Sequence, residues 1–187
     1  MNDHHLILGQ LTDFITDRTI DDTHDERYRQ KIARLLVAQK GFAREQLRPN
    51  HPLTIKAAAK AACVPITYIV MDEAGRMVML VHYGPGSLVT RHRPALAMSR
   101  LAAPYQIPVV VVTNGEAADV LDGETGRLLG NGWEAIPSRE QLTRRLEGYR
   151  WESLPAQRIE MEARIVMAYE VDDRCPCDST VCIIDER

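Results

Sequence analysis

Residues 66–88 of the chain read ITYIVMDEAGRMVMLVHYGPGSL. Two apolar runs flank a short polar segment, and this order predicts a β-hairpin near the middle of the chain. The two runs contain no acidic residue. The carboxylates of Asp72 and Glu73 are therefore expected in the turn of the hairpin and not on its strands.

The composition is that of one folded domain over residues 1–187. Hydrophobic residues make up 45% of the chain and charged residues 26%, which is ordinary for a globular protein of this length. The net charge of −3 gives no long-range attraction to nucleic acid, so such binding requires a local basic patch. We see no signal peptide and no apolar run of about 20 residues that could span a membrane. We therefore expect a cytoplasmic protein without a membrane partner.

A helix is predicted before the hairpin. Thr23 and Glu26 have the spacing of a capping box, in which a hydroxyl and a carboxylate satisfy backbone N–H groups at a helix start. The apolar residues that follow, from Tyr28 to Leu36, recur on one helical face, and Gly41 supplies a stop. Residues 53–64, LTIKAAAKAACV, are compatible with either helix or strand, because alanine favours the first and β-branched residues the second.

The segments after the hairpin alternate between helix and strand. Pro94 suits the first turn of a helix that runs to about residue 103, and the four valines of residues 109–112 are typical of a strand covered on both faces. A short hairpin is predicted over residues 120–129. A second capping box, Ser138 to Gln141, begins a helix that extends to about residue 151, and a last helix is predicted within residues 159–169. This order predicts an α/β domain.

Three motifs in this order resemble a known family. They are T-x-D-E-R-x-R-Q at residues 23–30, K-G-F at 40–42, and Y-x-I-P-x-x-x-V-T-N-G at 105–115. Together with the hairpin, they resemble the N-terminal nuclease domain of type I restriction enzyme R subunits over residues 22–121. The resemblance implies a restriction-endonuclease-like, PD-(D/E)XK fold, with a central mixed β-sheet flanked by helices. A C-terminal helix and a cysteine-containing tail are predicted beyond it, over residues 157–187, and we expect the protein to lack the motor domains of R subunits.

The same resemblance locates the nuclease positions. In that family one strand of the hairpin carries an Asp and the next an E-x-K, which bind Mg²⁺ and help to activate the attacking water. A gapless comparison places Thr67 at the Asp, and His82 and Gly84 at the Glu and Lys. A shift of one residue gives Val81 and Tyr83 instead. Neither alternative supplies a strand carboxylate or a lysine.

One further family feature is missing, and another has a simpler explanation. The family's Q-x-x-x-Y would fall at Ala97 and Leu101, which lack the polar groups. Glu26 matches the helix acid that can assist metal binding in the family, but its capping position alone explains it, and we favour the cap. We therefore expect no nuclease site, and Mg²⁺ is a cofactor only if the chain is nevertheless a divergent nuclease.

A basic cluster follows the hairpin. Arg91, His92 and Arg93, with Arg100 further along the predicted helix, are expected to form a surface patch near the helix start. In a nuclease-like fold such arginines bind phosphate groups through their planar guanidinium forks. The alternative is an ordinary solvated basic surface.

The cysteines form another candidate site. Cys175, Cys177 and Cys182 are close enough in sequence to bind one metal ion, and Cys63 could be the fourth ligand of a zinc or iron–sulfur site. The C-x-C spacing differs from the usual C-x2-C, and it is equally compatible with free thiols or a redox pair.

The leading functional hypothesis is a stand-alone, catalytically inactive restriction-endonuclease-like protein that acts by binding. Nucleic acid, DNA or RNA, is the first candidate ligand, and a protein partner is the second. The alternatives are a divergent Mg²⁺-dependent DNA endonuclease or restriction-system component, and a cysteine-based metal or redox protein on the same fold.

Overall fold

A computed structural model describes residues 6–58 and 60–171, and the backbone of residues 182–184. Nine strands and four helices lie in these ranges, together with 3₁₀ turns at Arg44–Gln46 and Trp133–Ala135. In chain order they are β1 (Gly9–Thr12), β2 (Thr19–Asp22), α1 (His24–Ala38), β3 (Leu47–Ala57), β4 (Lys60–Met71), β5 (Met77–Tyr83), α2 (Leu88–Leu101), β6 (Val109–Thr113), β7 (Ala118–Asp122), β8 (Leu128–Asn131), α3 (Arg139–Arg145), α4 (Ala156–Glu170) and β9 (Cys182–Ile184).

The centre of the fold is a mixed sheet in which six strands follow the order β3-β4-β5-β6-β7-β8. Strands β5 and β6 are parallel, while the other neighbours in this order are antiparallel. Helix α2 makes the crossover that a parallel pair requires. Strands β1 and β2 form a separate two-stranded sheet. The predicted mixed sheet flanked by helices is confirmed.

The predicted hairpin is β4 followed by β5. Tyr68 is the partner of Val81, and the strands are joined by a turn in which the Asp72 amide donates to the Arg76 carbonyl at 2.9 Å. The Asp72 carboxylate also accepts from the Arg76 amide at 2.8 Å. The expectation that Asp72 belongs to the turn is therefore confirmed.

The ambiguous segment at residues 53–64 forms the end of β3 and the start of β4. Ile55 is the partner of Ala62, so cross-strand pairing overrides the helix preference of the alanines. Pro49 and Pro52 are accommodated in β3, which is the first strand in the sheet order. A strand at that edge needs no N–H donor on its outer side.

Apolar clusters cover both faces of the sheet. One contains buried residues of α1 with Val109 and Val111, and the other contains buried residues of α2 with Val110, Val112 and Val166 of α4. Alternate valines of β6 therefore enter opposite clusters, as expected for a strand covered on both faces.

Two helix boundaries differ from the sequence prediction. Helix α2 begins at Leu88, so Pro94 lies inside the helix and not in its first turn. Helix α3 ends at Arg145, and Gly148, with φ of +73°, then adopts a left-handed conformation that ends helical geometry well before residue 151. In the described part of the chain, no helix is long and apolar enough to cross a membrane.

Candidate functional site

The position that corresponds to the family's strand Asp lies inside the sheet. Thr67 of β4 is 4% exposed, and its hydroxyl accepts a hydrogen bond of 3.0 Å from the Tyr83 amide of β5. Gly84, the position of the family's lysine, follows directly after β5 and is also buried. A Cβ atom at Gly84 would approach the Arg91 guanidinium to 3.1 Å, so Arg91 covers this position.

The position of the family's strand Glu is covered by the C-terminal helix. The imidazole Nε2 of His82 lies 3.4 Å from a carboxylate oxygen of Glu170 at the end of α4. The other oxygen of Glu170 lies 3.6 Å from the Arg91 guanidinium. Both the His82 and Glu170 side chains are more than 90% buried. His82 Nδ1 and Glu170 Oε1 have no hydrogen-bond partner among the described residues.

Tyr83 faces helix α1 on the other side of the sheet. Its hydroxyl donates to Asp25 at 2.8 Å, and its ring stacks on Tyr28 with centroids 5.8 Å apart. Burial, and then the hydrogen bond to Asp25, raise the pKa of Tyr83 well above its ordinary value. Gly115 completes this contact, because a Cβ atom there would lie 2.2 Å from the Tyr28 ring.

Glu26 has two contacts besides its place in the helix cap. Its amide donates to the Thr23 hydroxyl at 3.1 Å, as the capping motif predicts. Its carboxylate, however, accepts from Gln30 at 2.8 Å and lies 3.4 Å from Arg29. Gln30 also donates to Asp13 at 2.7 Å. The carboxylate of Glu26 thus joins α1 to the segment that follows β1, and the simple capping explanation is incomplete.

Burial raises the pKa of Asp13, but hydrogen bonds from Thr16, Gln30 and Ile15 outweigh this effect and give a net lowering. Asp13 is therefore held as a carboxylate in the network that contains Glu26. The two acids of the hairpin turn have other partners. Asp72 pairs with Arg76 at 2.7 Å, and the exposed Glu73 lies 3.7 Å from Arg139. Within residues 6–58 and 60–171, no three His, Cys, Asp or Glu side chains form a group that could hold a metal ion.

The predicted basic cluster is divided among three acidic partners. Arg91 lies near Glu170, and His92 lies 2.7 Å from Asp119 of β7. Arg93 and Arg100 both pair with Glu162 of α4. The four residues share one helix but do not form a single patch of unpaired charge.

Glu162 is the centre of the largest ion-pair cluster in the described structure. It is completely buried, and its carboxylate lies 3.0 Å from Arg100, 2.6 Å from Arg158 and 2.5 Å from Arg93. Burial raises the pKa of Glu162, but the hydrogen bonds and charges of these arginines outweigh it and lower the pKa overall. Glu162 therefore remains a carboxylate and holds α4 against α2.

The expectation that Arg100 lies on the surface is wrong. Its side chain is 7% exposed, and besides Glu162 it donates to Gln106 at 3.1 Å and to the Glu124 carbonyl at 3.2 Å. Burial is the largest influence on this guanidinium and lowers its pKa. Arg91 and Arg93 are only partly exposed, with 29% and 41% of their side chains accessible.

Sequence reasoning missed the acidic partners of these basic residues. Asp119, Glu162 and Glu170 lie on β7 and α4, far along the chain from α2. Glu162 and Glu170 are eight residues apart on α4, but the predicted last helix ended at residue 169 and so contained only the first of them.

The structure describes two of the four cysteines proposed as metal ligands. Cys63 in β4 is half-buried and free, and its Cα partner across the antiparallel pair is Cys182 of β9. Cys175 and Cys177 lie outside the described residues. The proposal of a four-cysteine metal site therefore stays a prediction.

The central mixed sheet with flanking helices is consistent with the restriction-endonuclease-like class of α/β proteins. Residues 24–137 match the family described as type I restriction enzyme R protein N terminus (HSDR_N), and the chain belongs to this family. No curated protein and no solved structure matches the chain. The matched segment ends before α4, so Glu162 and Glu170 come from outside it.

Proposed function

We propose that this protein is a catalytically silent member of the R-protein N-terminal family that acts by binding, with DNA as the first ligand to test. The observation that carries the proposal is which residues lie at the three nuclease positions and what they contact. Thr67, His82 and Gly84 stand where the family pattern requires a carboxylate, a second carboxylate and a lysine, and all three are engaged in internal contacts.

These residues do not fit a Mg²⁺ site. Mg²⁺ prefers oxygen ligands in near-octahedral geometry and normally requires carboxylates. The Thr67 hydroxyl accepts from a backbone amide, while His82 offers nitrogen and is covered by α4. Binding a metal here would require α4 to leave and the buried contact between His82 and Glu170 to separate, which is energetically costly. Metal-dependent hydrolysis is therefore not supported at these positions.

Any DNA affinity is expected to be weak and salt-sensitive. The protein has a net charge of −3, and Arg100 is enclosed by Glu162 and backbone carbonyls. Arg91 and Arg93 remain partly accessible. Because each phosphate contact contributes about 0.9 to the slope of log affinity against log salt, these two arginines together account for a slope of about 2 at most.

The catalytic half of the proposal is tested by incubating the protein with supercoiled and linear DNA in Mg²⁺ or Mn²⁺. We expect no nicking above a metal-free control. Metal-dependent nicking that is lost in Asp72→Ala would show that the catalytic acid has moved to the turn. Nicking that is retained in that variant but lost in Glu26→Gln would instead place the site on α1. Either result favours the alternative function, a divergent nuclease.

The binding half is tested by fluorescence anisotropy with labelled duplex DNA at several salt concentrations. The double variant Arg91→Ala/Arg93→Ala should lower both affinity and salt slope. The matched control is Arg139→Ala/Arg144→Ala, which removes two exposed arginines of α3. Equal effects in the two variants would indicate non-specific charge attraction. Absence of binding by the parent at low salt would exclude DNA and favour a protein partner.

A further inference from the structure

We infer that Cys63 and Cys182 form a reversible dithiol–disulfide pair that fastens the C-terminal strand β9 to β4. The two residues are 119 positions apart in sequence, yet they are direct partners in the sheet. This inference does not depend on DNA binding or on the absence of nuclease activity.

The backbone register places the two cysteines opposite each other. Strands β4 and β9 are antiparallel, with Ala61 opposite Ile184, Ala62 opposite Ile183 and Cys63 opposite Cys182. Directly opposed residues of an antiparallel pair have Cα atoms about 4.5–5.5 Å apart. A disulfide requires a Cα separation of roughly 4.4–6.8 Å. Oxidation therefore requires no large change in the backbone.

The sheet topology explains why a covalent link between β9 and β4 would add stability at this position. Strand β5 pairs with β4 only over residues 68–71. The earlier part of β4 pairs on one side with β3, where Cys63 is opposite Thr54. Its other side is open to pairing, and β9 supplies the hydrogen-bonding partner there. A short three-residue strand gives few hydrogen bonds, so a covalent link would strengthen its attachment.

Cys63 is accessible to oxidants in this arrangement. It is a free cysteine and only half-buried, although its neighbours Ala62 and Val64 are 0% and 2% exposed. Because thiol–disulfide exchange needs access to an attacking thiolate, partial exposure permits the reaction at this one position of the strand.

The co-reactant is a low-molecular-weight disulfide such as oxidised glutathione. One cysteine thiolate attacks it, which forms a mixed disulfide and releases one glutathione thiolate. The second cysteine thiolate then attacks the protein sulfur of the mixed disulfide and releases the second glutathione. The two protons lost by the cysteines protonate the two glutathione thiolates, and two protein thiols are oxidised as one disulfide is reduced.

The experiment uses the full chain equilibrated with oxidised or reduced glutathione, then alkylated and digested with trypsin and a protease that cleaves before aspartate. These cleavages give fragments 61–71, 175–177 and 178–184, which separate Cys182 from the other tail cysteines. We expect 61–71 linked to 178–184 in the oxidised sample and two alkylated thiols in the reduced one. The oxidised protein should melt roughly 5–15 °C higher than the reduced protein.

The double variant Cys175→Ser/Cys177→Ser is the matched control and should retain both the link and the melting shift. Cys63→Ser and Cys182→Ser should each lose both. A link from 61–71 to 175–177, a link only between molecules, or complete alkylation after oxidation would overturn the inference. One equivalent of bound zinc, with all four thiols protected until a chelator is added, would also overturn it in favour of a metal site.

Discussion

Replacing Glu162 with glutamine should destabilise the protein strongly. The substitution keeps the size of the side chain but removes the carboxylate that lies 3.0 Å from the buried Arg100. Breaking a buried ion pair from one side costs about 3–5 kcal/mol, because the remaining charge is left without compensation. Arg93 and Arg158, with 41% and 46% of their side chains exposed, can be solvated and should add about 1 kcal/mol or less each.

Urea denaturation followed by circular dichroism measures this effect. With a slope of about 2–3 kcal/mol per molar urea, a loss of about 3–5 kcal/mol should lower the urea midpoint by about 1–2.5 M. Glu160→Gln is the matched control, because Glu160 pairs with Arg164 on the same helix and both side chains are at least 60% exposed. That variant should lose less than about 0.5 kcal/mol. Equal losses in the two variants would refute the view that Glu162 anchors α4 through Arg100.

The stability of the protein in acid should depend on Glu162. Its pKa is lowered overall in the folded state, because the effect of the arginines outweighs that of burial. The contribution of Glu162 to the free energy of unfolding is therefore present above the unfolded carboxyl pKa of about 4.3 and is lost at lower pH. Urea midpoints should thus fall less steeply from pH 6 to pH 3 in Glu162→Gln than in the parent. Gly115→Ala should lower the free energy of unfolding by about 2–4 kcal/mol in thermal denaturation, because the added Cβ would overlap the Tyr28 ring. Gly41→Ala is the control: Gly41 also has a positive φ but lies in open space, so this change should cost only about 1–2 kcal/mol. The pKa of Tyr83 is raised in the folded state, so its contribution to the free energy of unfolding is present below the unfolded pKa of about 10 and is lost above it. The unfolding free energy of Tyr83→Phe should therefore depend less on pH between about pH 9 and 11.5 than that of the parent.

The elements that sequence predicted well are those with strong local patterns. The cap at Thr23, the turn at Asp72 and the valines of β6 each depend on neighbours within a few residues. Residues 53–64 could not be assigned because their structure depends on pairing between strands. The composition of a short segment does not determine which strand will lie beside it.

The candidate site was less predictable for the same physical reason. Arg91, Arg93 and Arg100 have the appearance of a basic patch when α2 is considered alone. Their partners Glu162 and Glu170 come from a helix more than 50 residues further along the chain, and only packing brings them together. The absence of strand carboxylates could be read directly from the sequence, whereas the cover that α4 provides over His82 could not.

The two carboxylates of α4 also determine its position along its own axis. Glu162 and Glu170 are eight residues apart, about 12 Å along a helix, and they meet different partners on α2 and β5. Sliding α4 by one turn, about 5.4 Å, would bring either Arg158 or Val166 towards the place of Glu162. The first would set like charges together and the second would leave Arg100 beside an apolar side chain. These two contacts therefore favour one setting of helix α4 along its axis.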